Sequence, residues 1–157
     1  MALYVLKNPR GTPLVVGSGA SLAFHKISPA TGNYVKIKGV DITPQSVTAA
    51  NTKCTLSLVR LSDAGTFNSD ALVPREHRLS GPPCPGTFSN YSTSTPTIED
   101  DPAGDIYTWL IPATAPFIFR FQPGEEPVVE SGELFAWYIT ASTDGMTFNA
   151  NTLLENG

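Results

Sequence analysis

Fourteen prolines and thirteen glycines are scattered along the whole of this 157-residue chain. Between them, no stretch of about eleven residues carries apolar side chains at the i, i+3, i+4, i+7 spacing of a helix. Proline lacks the backbone donor a helix needs and glycine loosens the chain, so long helices are excluded almost everywhere. The remaining order has period two. Across residues 34–40, Tyr34, Lys36 and Lys38 alternate with Val35, Ile37 and Gly39. Across 53–61, Cys54, Leu56 and Leu58 alternate with Thr55, Ser57 and Val59. Such alternation marks half-buried antiparallel strands.

Further strands are expected at 3–7, 14–16 and 22–27, then at 106–111, 117–121, 134–140 and 147–152. The later ones carry the aromatic residues that suit a pleated surface: Tyr107 and Trp109, the alternating Phe117, Phe119 and Phe121, then Phe135 and Trp137. Those aromatic faces are read as core, with a ligand platform as the alternative. Eight or so short strands in one chain of this length predict an all-β antiparallel sandwich or barrel, large enough to bury a core without staples. Residues 62–105 break the pattern. They are rich in Ser, Thr, Pro, Gly and Asn and show little alternation. A long loop of this kind in a compact domain is either a disordered insertion or an excursion that lies on something, and the expectation is that neighbouring molecules hold it.

Charge is divided along the chain. Residues 1–78 hold nine bases against four acids, and residues 79–157 hold one base, Arg120, against ten acids. Opposite signs on the two parts predict attraction between copies or toward charged neighbours. Charged residues make up 15% of the chain, below the ordinary share of about 25%, which suits a surface that spends its time covered. The net charge of −4 and the scattered bases argue against a nucleic-acid partner. No targeting segment is expected at the start, and no run of about eighteen apolar residues predicts a membrane span.

Candidates for chemistry are few. His25 and His77 stand in no recognisable nucleophile motif. Cys54 and Cys84 are read as two free thiols, with a disulfide as the alternative. The run Glu99, Asp100, Asp101, Asp105 is read as a solvated acidic turn, with a cation site as the alternative. Glu125, Glu126, Glu130 and Glu133 flank glycine turns and are read as turn residues, not as a hydrolytic pair. No catalytic, metal-ligating or cofactor-binding residue is assigned, and no enzymatic activity is expected. The residues expected to touch a partner are Leu3, Tyr4, Arg10, Arg75, Arg78, Phe88, Tyr91, Asp100 and Asp101, as apolar tips and charged anchors.

The order of parts carries a resemblance. A strand Cys54-Thr-Leu-Ser-Leu-Val-Arg60 precedes a long Pro/Ser/Thr loop, then a tryptophan strand Tyr107-Thr-Trp-Leu, then Pro127-Val-Val-Glu-Ser-Gly132-Glu133 and a last strand of alternating hydrophobics. This layout, over residues 53–140, resembles the jelly-roll head decoration or cement proteins of tailed bacteriophages. The Ser-Gly-Glu step also occurs in unrelated jelly rolls, including trimeric ligand domains. The resemblance implies an antiparallel two-sheet jelly roll with a long loop excursion and extended termini. It divides the chain into an N-terminal arm and first strand (1–20), a jelly-roll domain holding the loop 62–105 (21–145), and a C-terminal tail (146–157). It implies a virion structural protein on the outer capsid surface, assembled in the host cytoplasm. Its partners would be the major capsid protein and copies of itself, as a dimer or trimer, with tails and loop clamping neighbouring subunits. The alternative is a receptor- or carbohydrate-binding module of a phage tail.

Overall fold

A computed structural model describes residues 2–9, 11–47, 53–63, 65–67, 71–72, 75–76, 81–99, 105–141 and 144–157. The described residues form two antiparallel sheets packed face to face. The first sheet contains β1 (Ala2–Lys7), β2 (Leu14–Val16), β4 (Val35–Val47), β7 (Arg75–Glu76), β11 (Phe117–Arg120), β12 (Val128–Val129) and β14 (Met146–Asn156). Its order is β11-β4-β14-β1-β7, with β12 beside β4 and β2 beside β14. The second contains β3 (Ser21–Pro29), β5 (Lys53–Asp63), β6 (Ala71–Leu72), β8 (Gly86–Tyr91), β9 (Thr97–Ile98), β10 (Asp105–Pro112) and β13 (Phe135–Ala141). Its order is β10-β5-β13-β3-β8-β6, with β9 beside β5.

Layer β1-β14-β4-β11 thus faces layer β3-β13-β5-β10, and from β3 onward the chain crosses repeatedly between them. This winding is a jelly roll. The core lies between the sheets. Leu56, Leu58, Trp137 and Ile139 from the second meet Ile37, Val40, Phe148 and Leu154 from the first, all fully buried. Each comes from the apolar member of an alternating pair, so period two decides which face is buried. The ladder of β4 against β14 is irregular at two places. At one of them the register slips between Leu153 and Leu154, and Val40 and Ile42 take over the inward face that Val35 and Ile37 begin. A bulge of this kind changes the parity of a strand.

Both ends of the described chain are extended and run as strands of the first sheet. β1 runs antiparallel to β14 from Ala2↔Asn156 to Lys7↔Asn151. β1 and β14 therefore satisfy one another's backbone hydrogen bonds inside the first sheet. The loop 62–105 also differs from expectation. It supplies β6, β7, β8 and β9. Phe67 and Ile98 cover a second apolar cluster, Ala23, Val59, Leu61 and Ala136, on the outer face of the second sheet. The excursion does lie on something, and that surface belongs to its own chain.

Candidate contact surface

On one side of the sandwich, each sheet ends in a strand with an unpartnered flank. β10 ends the second sheet and β11 ends the first, and they follow one another through a short turn. Their inward faces form one aromatic ridge along the open side of the sandwich. Tyr107 and Trp109 lie nearly parallel, 13° apart with centroids at 5.7 Å. Trp109 meets Phe119 at 4.7 Å and Phe117 at 6.1 Å, and Phe119 meets Phe121 edge-on at 4.9 Å. Trp109 also reaches the fully buried Trp137 at 6.1 Å. The ridge is thus anchored inside, at Trp137 and Phe121, and opens outward. Trp109, Phe117 and Phe119 are half-buried. Tyr107 is 38% exposed, while Leu110 and Ile118, on the opposite faces of the same strands, are each 67% exposed.

Gly39 makes this edge possible. A Cβ there would fall 2.2 Å from the carbonyl oxygen of Phe119 and 3.2 Å from the Cα of Arg120. The absence of a side chain lets β11 approach β4 closely at Arg120↔Gly39.

Of the residues expected to touch a partner, the described ones do not meet on one surface. Tyr4 (3% exposed) and Phe88 (2% exposed) are core residues facing the opposite sheet, a correction to their reading as surface tips. Both occupy inward positions of alternating strands, where an aromatic ring buries most area. Tyr91 is half-buried against the same core. Leu3 is half-buried on the first sheet, opposite Glu155. Arg75 is placed by its backbone in β7, opposite Val5. Arg10, Arg78, Asp100 and Asp101 lie outside the described residues, as does most of the acidic turn 99–105. The ridge was visible in the sequence as alternating aromatics and was read as core. What the sequence did not signal is that both strands are edges.

The divided charge also finds internal partners. Lys38 pairs with Glu126 and, at 3.3 Å, with Glu155. Arg60 pairs with Glu133 and, at 3.6 Å, with Glu99. Arg120 pairs with Asp41. Every one of these pairs joins the first half of the chain to the second, because the winding places β4 between β14 and β11, and β5 between β13 and β10. Glu126 is held down to about 2, chiefly by its hydrogen bond with Lys38. Its carboxylate also accepts the Gly124 amide at 2.6 Å, and Glu133 accepts the Glu130 amide at 2.8 Å. These glutamates close turns, as read from the sequence.

Cys54 and Cys84 are separate buried thiols. Burial pushes both upward, Cys84 to about 11, so neither is a ready nucleophile. His77 lies outside the described residues, and His25 is fully buried. A depression at one end of the first sheet is lined by Lys7, Asn8, Gln45, Asn149 and Asn151. Among the described residues, no group of three or more His, Cys, Asp or Glu could hold a metal ion.

No protein-family model, curated protein or solved structure matches this chain.

Proposed function

We propose that this chain works by contact, as a virion structural protein that coats the outside of an assembled phage head and clamps neighbouring capsid subunits. The observation that carries this reading is the aromatic ridge of β10 and β11, flanked by Leu110 and Ile118. Long apolar edge strands are usually shortened, charged or covered in a solitary protein. Here they carry Leu110 and Ile118, the most exposed large hydrophobics among the described residues, and Arg120, the one base on β11, is already paired with Asp41. Since the chain ends are tied into the first sheet, the clamping role falls to this rigid edge. Binding to the assembled lattice alone would stabilise that lattice by mass action, and many modest contacts would add through avidity.

The test is size-exclusion chromatography with light scattering, run with and without empty particles built from a tailed-phage major capsid protein. The protein is expected to co-migrate with particles. Leu110→Asp together with Ile118→Asp should weaken that binding at least tenfold, which corresponds to about 1.4 kcal/mol, while leaving the fold intact. A protein that stays a free monomer at every concentration beside the particles overturns the proposal.

A second reading, a receptor- or carbohydrate-binding module, draws on two observations. Parallel Tyr107 and Trp109 offer a face on which a sugar ring can stack. The depression lined by Asn8, Gln45, Asn149 and Asn151 offers the paired donors and acceptors that hydroxyls need. Saturation-transfer NMR against a glycan panel, with no binding to particles, would favour this reading over the first.

A further inference from the structure

The other flank of the sandwich holds a polar cluster that the contact function does not use. Strands β3 and β8 pair through Phe24↔Tyr91 and Lys26↔Ser89, so Asn90 stands opposite His25. Both side chains are fully buried. Nδ1 of His25 lies 2.8 Å from Oγ1 of Thr152, which in turn lies 3.0 Å from Nε1 of Trp137. An indole N–H can only donate. Thr152 therefore accepts from Trp137, and its hydroxyl proton is used if it donates to Nδ1 of His25. That arrangement leaves the imidazole proton on Nε2.

Among the described residues, Nε2 of His25 has no partner, nor do Nδ2 and Oδ1 of Asn90. Buried polar atoms in native proteins almost always have partners, and three orphans would together rival the net stability of a domain. Direct contact between the two residues does not resolve this. The imidazole offers one N–H and the carboxamide two, against a single acceptor oxygen. The surplus is in donors, so the missing partner must accept hydrogen bonds. An anion would accept them but would bring an uncompensated charge into a place sealed from solvent. The nearby cation, Lys26, lies over the ring of Phe67, on the outer face of the sheet. A neutral acceptor small enough for a closed interior is water.

The backbone bears on the same point. His25 has φ of 50°, a left-handed conformation that a strand residue avoids. It sits where the register of β3 against β13 slips, between Phe135↔Ile27 and Trp137↔Phe24. The slip turns Phe24 and His25 both toward the interior, where they touch edge-on at 5.3 Å. Strain of this sort persists where neighbouring contacts hold it.

We propose that His25 and Asn90 form a closed internal hydration site. It takes one or two waters that accept from Nε2 of His25 and Nδ2 of Asn90 and donate to Oδ1 of Asn90. The site ties β8, and with it the long excursion, to the body of the second sheet.

The test is NMR on the full chain with ¹⁵N-labelled histidine. Long-range ¹H–¹⁵N correlation is expected to show the proton of His25 on Nε2. That proton should exchange slowly and give a cross-peak to a long-lived water. Asn90→Leu removes both amide atoms and should abolish the cross-peak. Asn90→Ser, which restores a hydroxyl and leaves room, should keep it, and it serves if the leucine variant does not fold. A proton on Nδ1 overturns the proposal. So does an Nε2 proton with no water contact in the unaltered protein, or a cross-peak that survives Asn90→Leu in a folded variant.

Discussion

The two flanks of this sandwich are built on opposite principles. On one, the sheets end in β6 and β7, two residues each, and β8 fills the space with Phe88 and Asn90 buried beneath it. On the other they end in β10 and β11, eight and four residues long, with Trp109, Phe117 and Phe119 half open. The first flank is sealed by the polar-rich segment and hides a polar network. The second carries the aromatic side chains of β10 and β11 and shows them. Sequence hydrophobicity therefore does not say which flank faces solvent. Sheet position decides it: a strand flanked on both sides is covered, whereas an edge strand leaves part of its apolar face open.

The sharpest way to separate the flanks is acid. Burial pushes His25 down to about 3, from an ordinary value of 6.5. In the unfolded chain it takes up a proton below pH 6.5, whereas in the fold it stays neutral. Its contribution is fully present above pH 6.5 and is lost as the pH falls toward 3. The loss is about 1.4 kcal/mol per unit, roughly 3 kcal/mol by pH 4.5, before most carboxylates titrate. Glu126, held low by Lys38, adds a second loss beginning below about 4.5. Urea titrations from pH 7 to 4.5 should show the first phase, and His25→Asn, which tolerates a left-handed backbone, should remove it. Amide exchange should quicken first in β3 and β8. If β10 and β11 open first, the sealed flank is not the acid-sensitive one.

An effect of comparable size is expected on the open flank. Gly39→Val places a methyl-bearing carbon against the backbone of β11, which cannot yield as a side chain can. A destabilisation of about 3 kcal/mol is expected, with loss of the near-ultraviolet circular dichroism of Trp109. The sealed flank should keep its protected amides. An unchanged denaturation midpoint would mean that β11 is not held at Gly39.

Much of this architecture was legible beforehand. Alternation in residues 53–61 placed Cys54, Leu56 and Leu58 inward and left Val59 on the far face, where it is buried under the excursion. An all-β antiparallel sandwich or barrel followed from such runs and from the breakers between them, and the two-sheet form came with the jelly-roll resemblance. Tyr4 and Phe88 were not legible as core. Tyr4 stands at the chain's start and Phe88 in a Pro/Ser/Thr segment, and nothing local reveals that β14 and β3 pair with them. The charge division was plain, but its internal use depends on which strands the winding makes neighbours. His25 gave no signal beyond its place in a strand pattern, since a left-handed residue in a strand is fixed by tertiary contacts.

The smallest expected effect concerns those charges, and it asks whether the open flank or the ion pairs govern association. Arg60, Glu133 and Glu99 are each a quarter to a third exposed, so each pair is screened by water and salt. Glu99→Gln should change stability by no more than about 0.5 kcal/mol. Glu133→Gln should cost somewhat more, up to about 1 kcal/mol, because that carboxylate also caps the Glu130 amide. Both differences should shrink in about 1 M salt, where the screening length falls to about 3 Å. Association through an apolar ridge should persist or strengthen in that salt, since burial of hydrocarbon is not screened. Sedimentation at low and high salt distinguishes the cases. If self-association disappears as salt rises while folding stability holds, the opposite charges of the two halves act between molecules, and the aromatic edge is not what joins them.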